Sequence, residues 1–122
     1  MAKMLLSIKP QYVEKIFSGE KRFEFRKFHC KNNIDTIVIY ATSPVKAVIG
    51  EVELIDVIEG NIEQVWQETN EFAGISRSAY DEYYNKRQIA VAYKLGNICK
   101  YKEPKKLIDF GLHYVPQSFA YL

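Results

Sequence analysis

The spacing of apolar and polar positions changes period along the chain, and each period implies an element. Residues 3–8, with Met4, Leu5, Leu6 and Ile8 apolar, read as a first strand. Pro10 then sits where a helix can begin, and Tyr12, Val13, Ile16 and Phe17 form an apolar stripe at helical spacing. Gly19 is placed to end that helix in a left-handed conformation. The next stretch, Arg22-Phe23-Glu24-Phe25-Arg26, alternates strictly. It predicts a strand with an aromatic face for the core and a charged face of mixed sign.

Ile34 to Ala41 is rich in β-branched residues and closes on a turn at Thr42-Ser43-Pro44. Val45 to Glu59 reads as a long strand, with Val48, Val52 and Leu54 opposite Glu51 and Glu53, and Gly50 marks a bulge or bend. Asn61 is an N-cap for a helix carrying Ile62, Val65 and Trp66. A further short helix starts near Ser76 or Ser78 and carries Tyr80, Tyr83 and Tyr84. Gln88 to Leu95 returns to strand, and a last strand pair is expected within 98–110. The tail from His113 to Leu122 is too aromatic for a loose end and is expected to pack back on the body.

Strands do not alternate with helices as βαβ units would, which argues against a doubly wound parallel sheet. The pattern instead predicts an α+β fold: a small, mostly antiparallel barrel decorated with about three short helices. With 122 residues, 48% hydrophobic and 26% charged, residues 1–122 read as one globular domain. No apolar run approaches the ~20 residues of a membrane helix. The N-terminal run fits a strand better than a signal peptide, so the expected location is cytoplasmic. Cys30 and Cys99 form no CxxC, and no histidine cluster accompanies them, so no metal and no cofactor is expected. Both thiols are expected to be buried or half-buried.

The net charge of +2 conceals a split. Residues 51–82 carry nine acids against Arg77 alone, a net charge of −8, which leaves +10 on the rest. Basic residues concentrate in 20–31 and 86–106. Such separation can steer an anion to one side, although solvated faces of no function would produce it too.

The run Leu6-Ser7-Ile8-Lys9-Pro10, the helix after it, and Gly19-Glu20-Lys21-Arg22-Phe23-Glu24-Phe25-Arg26 resemble the opening of the ASCH domain, with its pattern Gly-x-Lys-x-x-Glu-x-Arg. The tail Pro116-Gln117-Ser118-Phe119-Ala120-Tyr121-Leu122 resembles the end of bacterial members described as predicted transcriptional regulators. The resemblance implies a PUA-like barrel with a cleft beside it. It also implies an RNA, nucleotide or nucleoside partner.

Within that cleft, Lys21 can reach a phosphate or carbonyl oxygen, and burial would lower its pKa enough to make it a base. An exposed lysine at a turn is the plain alternative. Glu24 and Arg26 share one strand face. Either Arg26 contacts phosphate or a base edge while Glu24 accepts from an exocyclic amine, or the two form a structural ion pair. Strict alternation puts Lys21 on the side of Phe23 and Phe25, so all three meet only if Lys21 lies in the turn. Lys9 at the cleft rim, Thr42 and Ser43 in their loop, and Gln117 and Ser118 in the tail complete the expected ligand-binding set. The helix tyrosines are read as core.

A binding module for RNA or a modified nucleotide needs no catalytic set. The alternative implied by the resemblance is an amidohydrolase of N4-acetylcytidine-like nucleosides, with Lys21, Glu24 and Glu71 as its catalytic groups. That enzyme branch carries Thr where this chain has Glu24, which removes the expected nucleophile. Ribonuclease activity is a third possibility.

Overall fold

The structure is a computed structural model and describes residues 2–122. Its elements run β1 (Ala2–Ile8), α1 (Pro10–Ser18), β2 (Phe23–Arg26), β3 (Ile34–Ala41), β4 (Ala47–Asn61), α2 (Ile62–Thr69), α3 (Arg77–Tyr83), β5 (Ile89–Lys105) and β6 (Phe119–Tyr121). Short 3-10 turns at Asn70–Phe72 and Leu107–Phe110 interrupt the loops. The six strands form one mixed sheet in the order β2-β5-β4-β3-β1-β6, curled into a half-barrel with three helices, an α+β PUA-like fold. Among the described residues β1 and β3 pair in parallel and the other neighbours are antiparallel.

The local signals act as expected at the helix ends. Pro10 opens α1, and Gly19 closes it at φ 88°. The Asn61 side chain accepts from the backbone N–H groups of Glu63 and Gln64 at the start of α2. Ser76 does the same for Ala79 in α3. Parallel pairs are normally covered on both faces, and β1 and β3 obey that rule. Met4, Leu6, Ile8, Ile37 and Ile39 pack against α1, while Leu5, Val38 and Tyr40 turn to the opposite face. There Tyr101, Leu107, Phe110 and Leu112 cover them. Phe23 and Phe25 join Val65, Tyr80 and Tyr84 in a third cluster.

The expected strand pair within 98–110 is not formed. β5 instead continues to Lys105 because β4, 15 residues long, offers it a partner that far. Between the pairs Gly50↔Lys100 and Val48↔Lys105 the register shifts, a bulge on the β5 side where Pro104 cannot donate to the ladder. Gly50 sits at this irregularity as predicted: a Cβ there would lie 2.5 Å from the Cys99 carbonyl oxygen and 2.9 Å from the Phe17 ring. Cys99 is exposed rather than half-buried, because β5 has left the core by that point; Cys30 is buried. The tail does pack back, as β6 on the outer edge of β1.

Candidate functional site

Gly19 turns the chain out of α1, and two backbone bonds then fix the approach to β2. Lys21 N–H donates to the Lys15 carbonyl at 3.0 Å, and Arg22 N–H to the Phe72 carbonyl at 2.8 Å. Lys21 therefore lies in the turn before β2 rather than in its pleat. That frees it from strict alternation, and it meets Glu24 and Arg26 in one buried cluster. The three are 2%, 7% and 9% exposed. Both faces of β2 are thus buried, the aromatic one in the core and the charged one against the seam of the half-barrel.

The Lys21 ammonium donates to the Ala73 carbonyl at 2.7 Å and faces Glu24 Oε1 at 3.7 Å. The rings of Phe25 and Tyr12 lie 5.0 and 5.4 Å from it. Gly74, at φ 68°, packs on the lysine stem so closely that a Cβ there would sit 2.5 Å from Lys21 Cβ. Burial pushes the Lys21 pKa below its ordinary value; Glu24 opposes that shift, and Arg26 and Lys15 add to it.

Arg26 is spent within the chain. Its Nε and Nη2 both donate to Glu24 Oε2, at 3.1 and 2.9 Å. Nη2 also donates to the Ser7 carbonyl at 2.9 Å, and Nη1 to Ser118 Oγ and its carbonyl at 3.2 and 3.4 Å. One guanidinium thereby ties β2 to β1 and to the residue that precedes β6. Ser7 Oγ donates to the Pro116 carbonyl at 2.6 Å, and the Tyr84 hydroxyl to the Arg26 carbonyl at 2.7 Å. Phe28 stacks on Phe119 across the same seam at 4.1 Å. Of the two readings of the Glu24–Arg26 pair, the structural ion pair is present in full.

Above this cluster opens a cleft of about 590 Å³, lined by Lys9, Tyr12, Lys21, Glu24, Arg26, Lys27, Glu82 and Tyr83, among others. Lys9 is exposed at its rim, where it precedes α1. Thr42 donates its backbone N–H to the Ile8 carbonyl at 3.0 Å, which sets its loop beside Lys9, but neither Thr42 nor Ser43 lines the cleft. Ser118 is half-buried and bonded to Arg26, whereas Gln117 is exposed outside the cleft lining. Glu71 faces a second cleft of about 570 Å³, on the other side of Lys21, with Glu68, Arg22 and Phe72. Lys21 borders both clefts; Glu24 and Glu71 do not share one.

Sequence reasoning did not single out Lys27, read Tyr83 with the other helix tyrosines as core, and placed Tyr12 in the apolar stripe of α1. Tyr80 and Tyr84 are indeed core, at one helical turn from each other. Tyr83 falls off that face, is 37% exposed, and carries the Lys27 ammonium 4.5 Å above its ring. The separate helical phase of position 83 was the available signal. Among the described residues, no group of three or more His, Cys, Asp and Glu side chains could hold a metal ion. Among the same residues, no helix is long and apolar enough to cross a membrane.

Residues 6–98 match the family model described as ASCH domain. Over 120 residues the chain is 31% identical to a protein of Ureaplasma parvum named ATP synthase subunit alpha. It is 32% identical over the same length to one named large ribosomal subunit protein uL22 from that species. It spans only 15% and 39% of those two proteins. It is also 33% identical over 92 residues to an ASCH domain-containing ribonuclease of Zymomonas mobilis, a match covering 75% of this chain and 62% of the relative. The crystal structure of ASCH from Zymomonas mobilis superimposes with a TM-score of 0.88 at 29% identity, covering 98% of this chain and 87% of the other.

Proposed function

The chain belongs to the ASCH domain family, and on that premise we propose that it binds RNA, seating one nucleotide in the cleft above Lys21, Glu24 and Arg26. The observation that carries this reading is the state of Lys21. A buried ammonium is held at the floor of an open cleft by one carbonyl and one carboxylate. An ammonium has three donors, so one remains for a phosphate or base oxygen. Lys9 and Lys27 add exposed positive charge at the rim, and Tyr12 and Tyr83 offer ring faces. Stacking on such a face is worth ~1–3 kcal/mol per base. Arg26 acts through its neighbours: it fixes Glu24, whose Oε1 can accept from an exocyclic amine. A regulatory use of this binding, implied by the tail, is part of the same reading.

Similarity to a protein named a ribonuclease favours one second reading, RNA cleavage in the same cleft. The 2′-oxygen would attack the adjacent phosphorus as the bond to the 5′-oxygen breaks. Lys21, its pKa lowered, would take the 2′-hydroxyl proton as a neutral amine while water protonates the leaving 5′-oxygen, or, as a cation, would stabilise the phosphorane with water exchanging both protons. The deacetylase reading draws less support, since Glu24 replaces the hydroxyl and Glu71 opens on the other cleft.

The test is fluorescence anisotropy with labelled RNA, with product analysis of the same mixtures. Lys21→Met should weaken binding at least tenfold in a protein that circular dichroism shows to be folded. Lys9→Gln/Lys27→Gln, both changes at exposed sites, should weaken it several-fold at low salt. Normal binding by both variants would remove the cleft from the reading. Shortened RNA, lost in Lys21→Met, would make the domain a nuclease.

A further inference from the structure

We propose that the RNA leaves the cleft across the end of the sheet where Lys9, Lys46, Lys105 and Lys106 gather, so that the ligand is a single strand of about four or more nucleotides, the low end of what one small barrel binds. This rests on the RNA reading above and adds to it a path and a minimum length.

Strand register places the four lysines. Ile8 of β1 pairs with Ala41 of β3, Ala41 pairs with Ala47 of β4, and Val48 of β4 pairs with Lys105 of β5. Lys9 follows Ile8, and Lys46 precedes Ala47. Continued past Val48↔Lys105, the antiparallel register carries Lys46 towards residue 107, beside Lys106. The ends of β1, β3, β4 and β5 therefore set the lysines in a row that starts at the cleft rim. Three inter-strand steps make that row roughly 14–15 Å long.

All four side chains are exposed, and none makes an ion pair among the described residues. The cations that do pair with carboxylates among the described residues are Lys3 with Glu51, Lys21 and Arg26 with Glu24, and Arg77 with Glu63 and Asp81. The acids near the row are Glu103 and Asp109, and Asp109 is engaged in accepting the Lys106 backbone N–H at 3.0 Å. Of the acidic residues in 51–82, Glu82 lines the cleft beside Lys9, and Glu63 and Asp81 are taken up by Arg77, so the row past Lys9 faces Glu103 as its nearby acid without a bond to it.

Lys46 has φ 52°, in the left-handed region that favours Gly or Asn; Lys86, outside the row, shares that conformation at φ 65°. The placement of the row therefore rests on the strand register and on the exposure of its side chains.

The experiment is a length series. Uridine oligomers of one, two, four and six nucleotides are titrated at several salt concentrations into the unmodified protein and into Lys46→Gln/Lys105→Gln/Lys106→Gln. The expected result is an affinity that climbs at least tenfold from one nucleotide to four in the unmodified protein. In the triple variant the climb disappears while mononucleotide binding stays. The slope of log K against log salt for the tetramer should flatten by about 2, three phosphate contacts at about 0.7 each. Lys46→Gly alone should bind the tetramer more weakly without lowering Tm. A mononucleotide bound as tightly as a tetramer, or a climb that survives the triple change, overturns the path and leaves the cleft reading standing. No binding at any length overturns both. A lysine-dependent attachment to anionic vesicles, with no length climb on RNA, assigns the row to a lipid surface and also overturns the path.

Discussion

Arg26→Ala is the perturbation whose size the structure fixes best. The change removes both bonds to Glu24 Oε2 and leaves that buried carboxylate with the Lys21 ammonium at 3.7 Å. Deleting one partner of a buried ion pair costs about 3–5 kcal/mol. The bonds to the Ser7 carbonyl and to Ser118 go too, adding about 1 kcal/mol. The expected loss is thus about 4–6 kcal/mol, out of the ~5–15 kcal/mol available to a domain. In urea, with m about 1.5–2 kcal/mol/M, the midpoint should fall by about 2–4 M. Arg26→Lys keeps the charge but cannot span Glu24, Ser7 and Ser118 with one ammonium, and should lose about half as much. Circular dichroism across a urea gradient reads both. A midpoint shift under 0.5 M for Arg26→Ala, with m unchanged (about 1 kcal/mol or less), would refute the view that this guanidinium closes the half-barrel. The outcome also governs binding experiments: weakened RNA binding in an Arg26 variant reports an opened seam as readily as a lost contact, whereas Lys21→Met leaves the Glu24–Arg26 fork in place.

Other tests follow from single features. Because Lys21 has a lowered pKa when folded, the unfolded chain holds its proton to higher pH, so the stability of the unmodified protein relative to Lys21→Met should rise as pH climbs from that lowered value towards the ordinary lysine range; a pH-independent difference in urea midpoints would contradict the burial effect. Gly19→Ala meets only the left-handed backbone penalty of about 1–2 kcal/mol, since nothing lies within 4 Å of its new Cβ. Gly74→Ala adds a collision with the Lys21 stem and should lose about 2–4 kcal/mol in the same denaturation assay; equal losses would deny the contact. Glu63, bonded to Arg77 and Gln67, has its pKa held down to about 2. That contribution is present above the ordinary carboxylate value and is lost as pH falls towards about 2. Comparing acid unfolding of the unmodified protein and Glu63→Gln at low salt should show it, and high salt should shrink it because the pair is exposed.

The elements were legible wherever a local rule decides them. Alternation at 22–26 gave β2 and sent Phe23 and Phe25 inward, and the end signals at Pro10, Gly19, Asn61 and Ser76 placed the helices. The reach of β5 was illegible because its partner decided it. Strand was expected within 98–110, but as a separate pair; that it continues β5 is set by β4, which is long enough to carry it. Lys27 was missed for a similar reason, since it joins the cleft through the packing of α3 beside β2, whereas Tyr83 was read as core although its helical phase set it apart.

The burial of the charged face of β2 is the least local fact, and it bears most on function. Alternation shows only that Glu24 and Arg26 share a side. That this side is closed off depends on Ser7 and Ser118, distant in sequence, meeting Arg26 across the seam. Once closed, the cluster is a poor way to gain stability. Taking Lys21, Glu24 and Arg26 out of water costs about as much as their mutual attraction returns, and apolar residues of similar volume are often neutral or stabilising by about 1–4 kcal/mol. Replacing all three together, as Lys21→Met/Glu24→Leu/Arg26→Met, should therefore yield a domain nearly as stable as the original, in contrast to the single Arg26→Ala change. The same triple replacement should abolish RNA binding. A cluster that the fold can do without and the ligand cannot is explained by the ligand. If the triple variant instead unfolds as readily as Arg26→Ala, the charges are there for the seam.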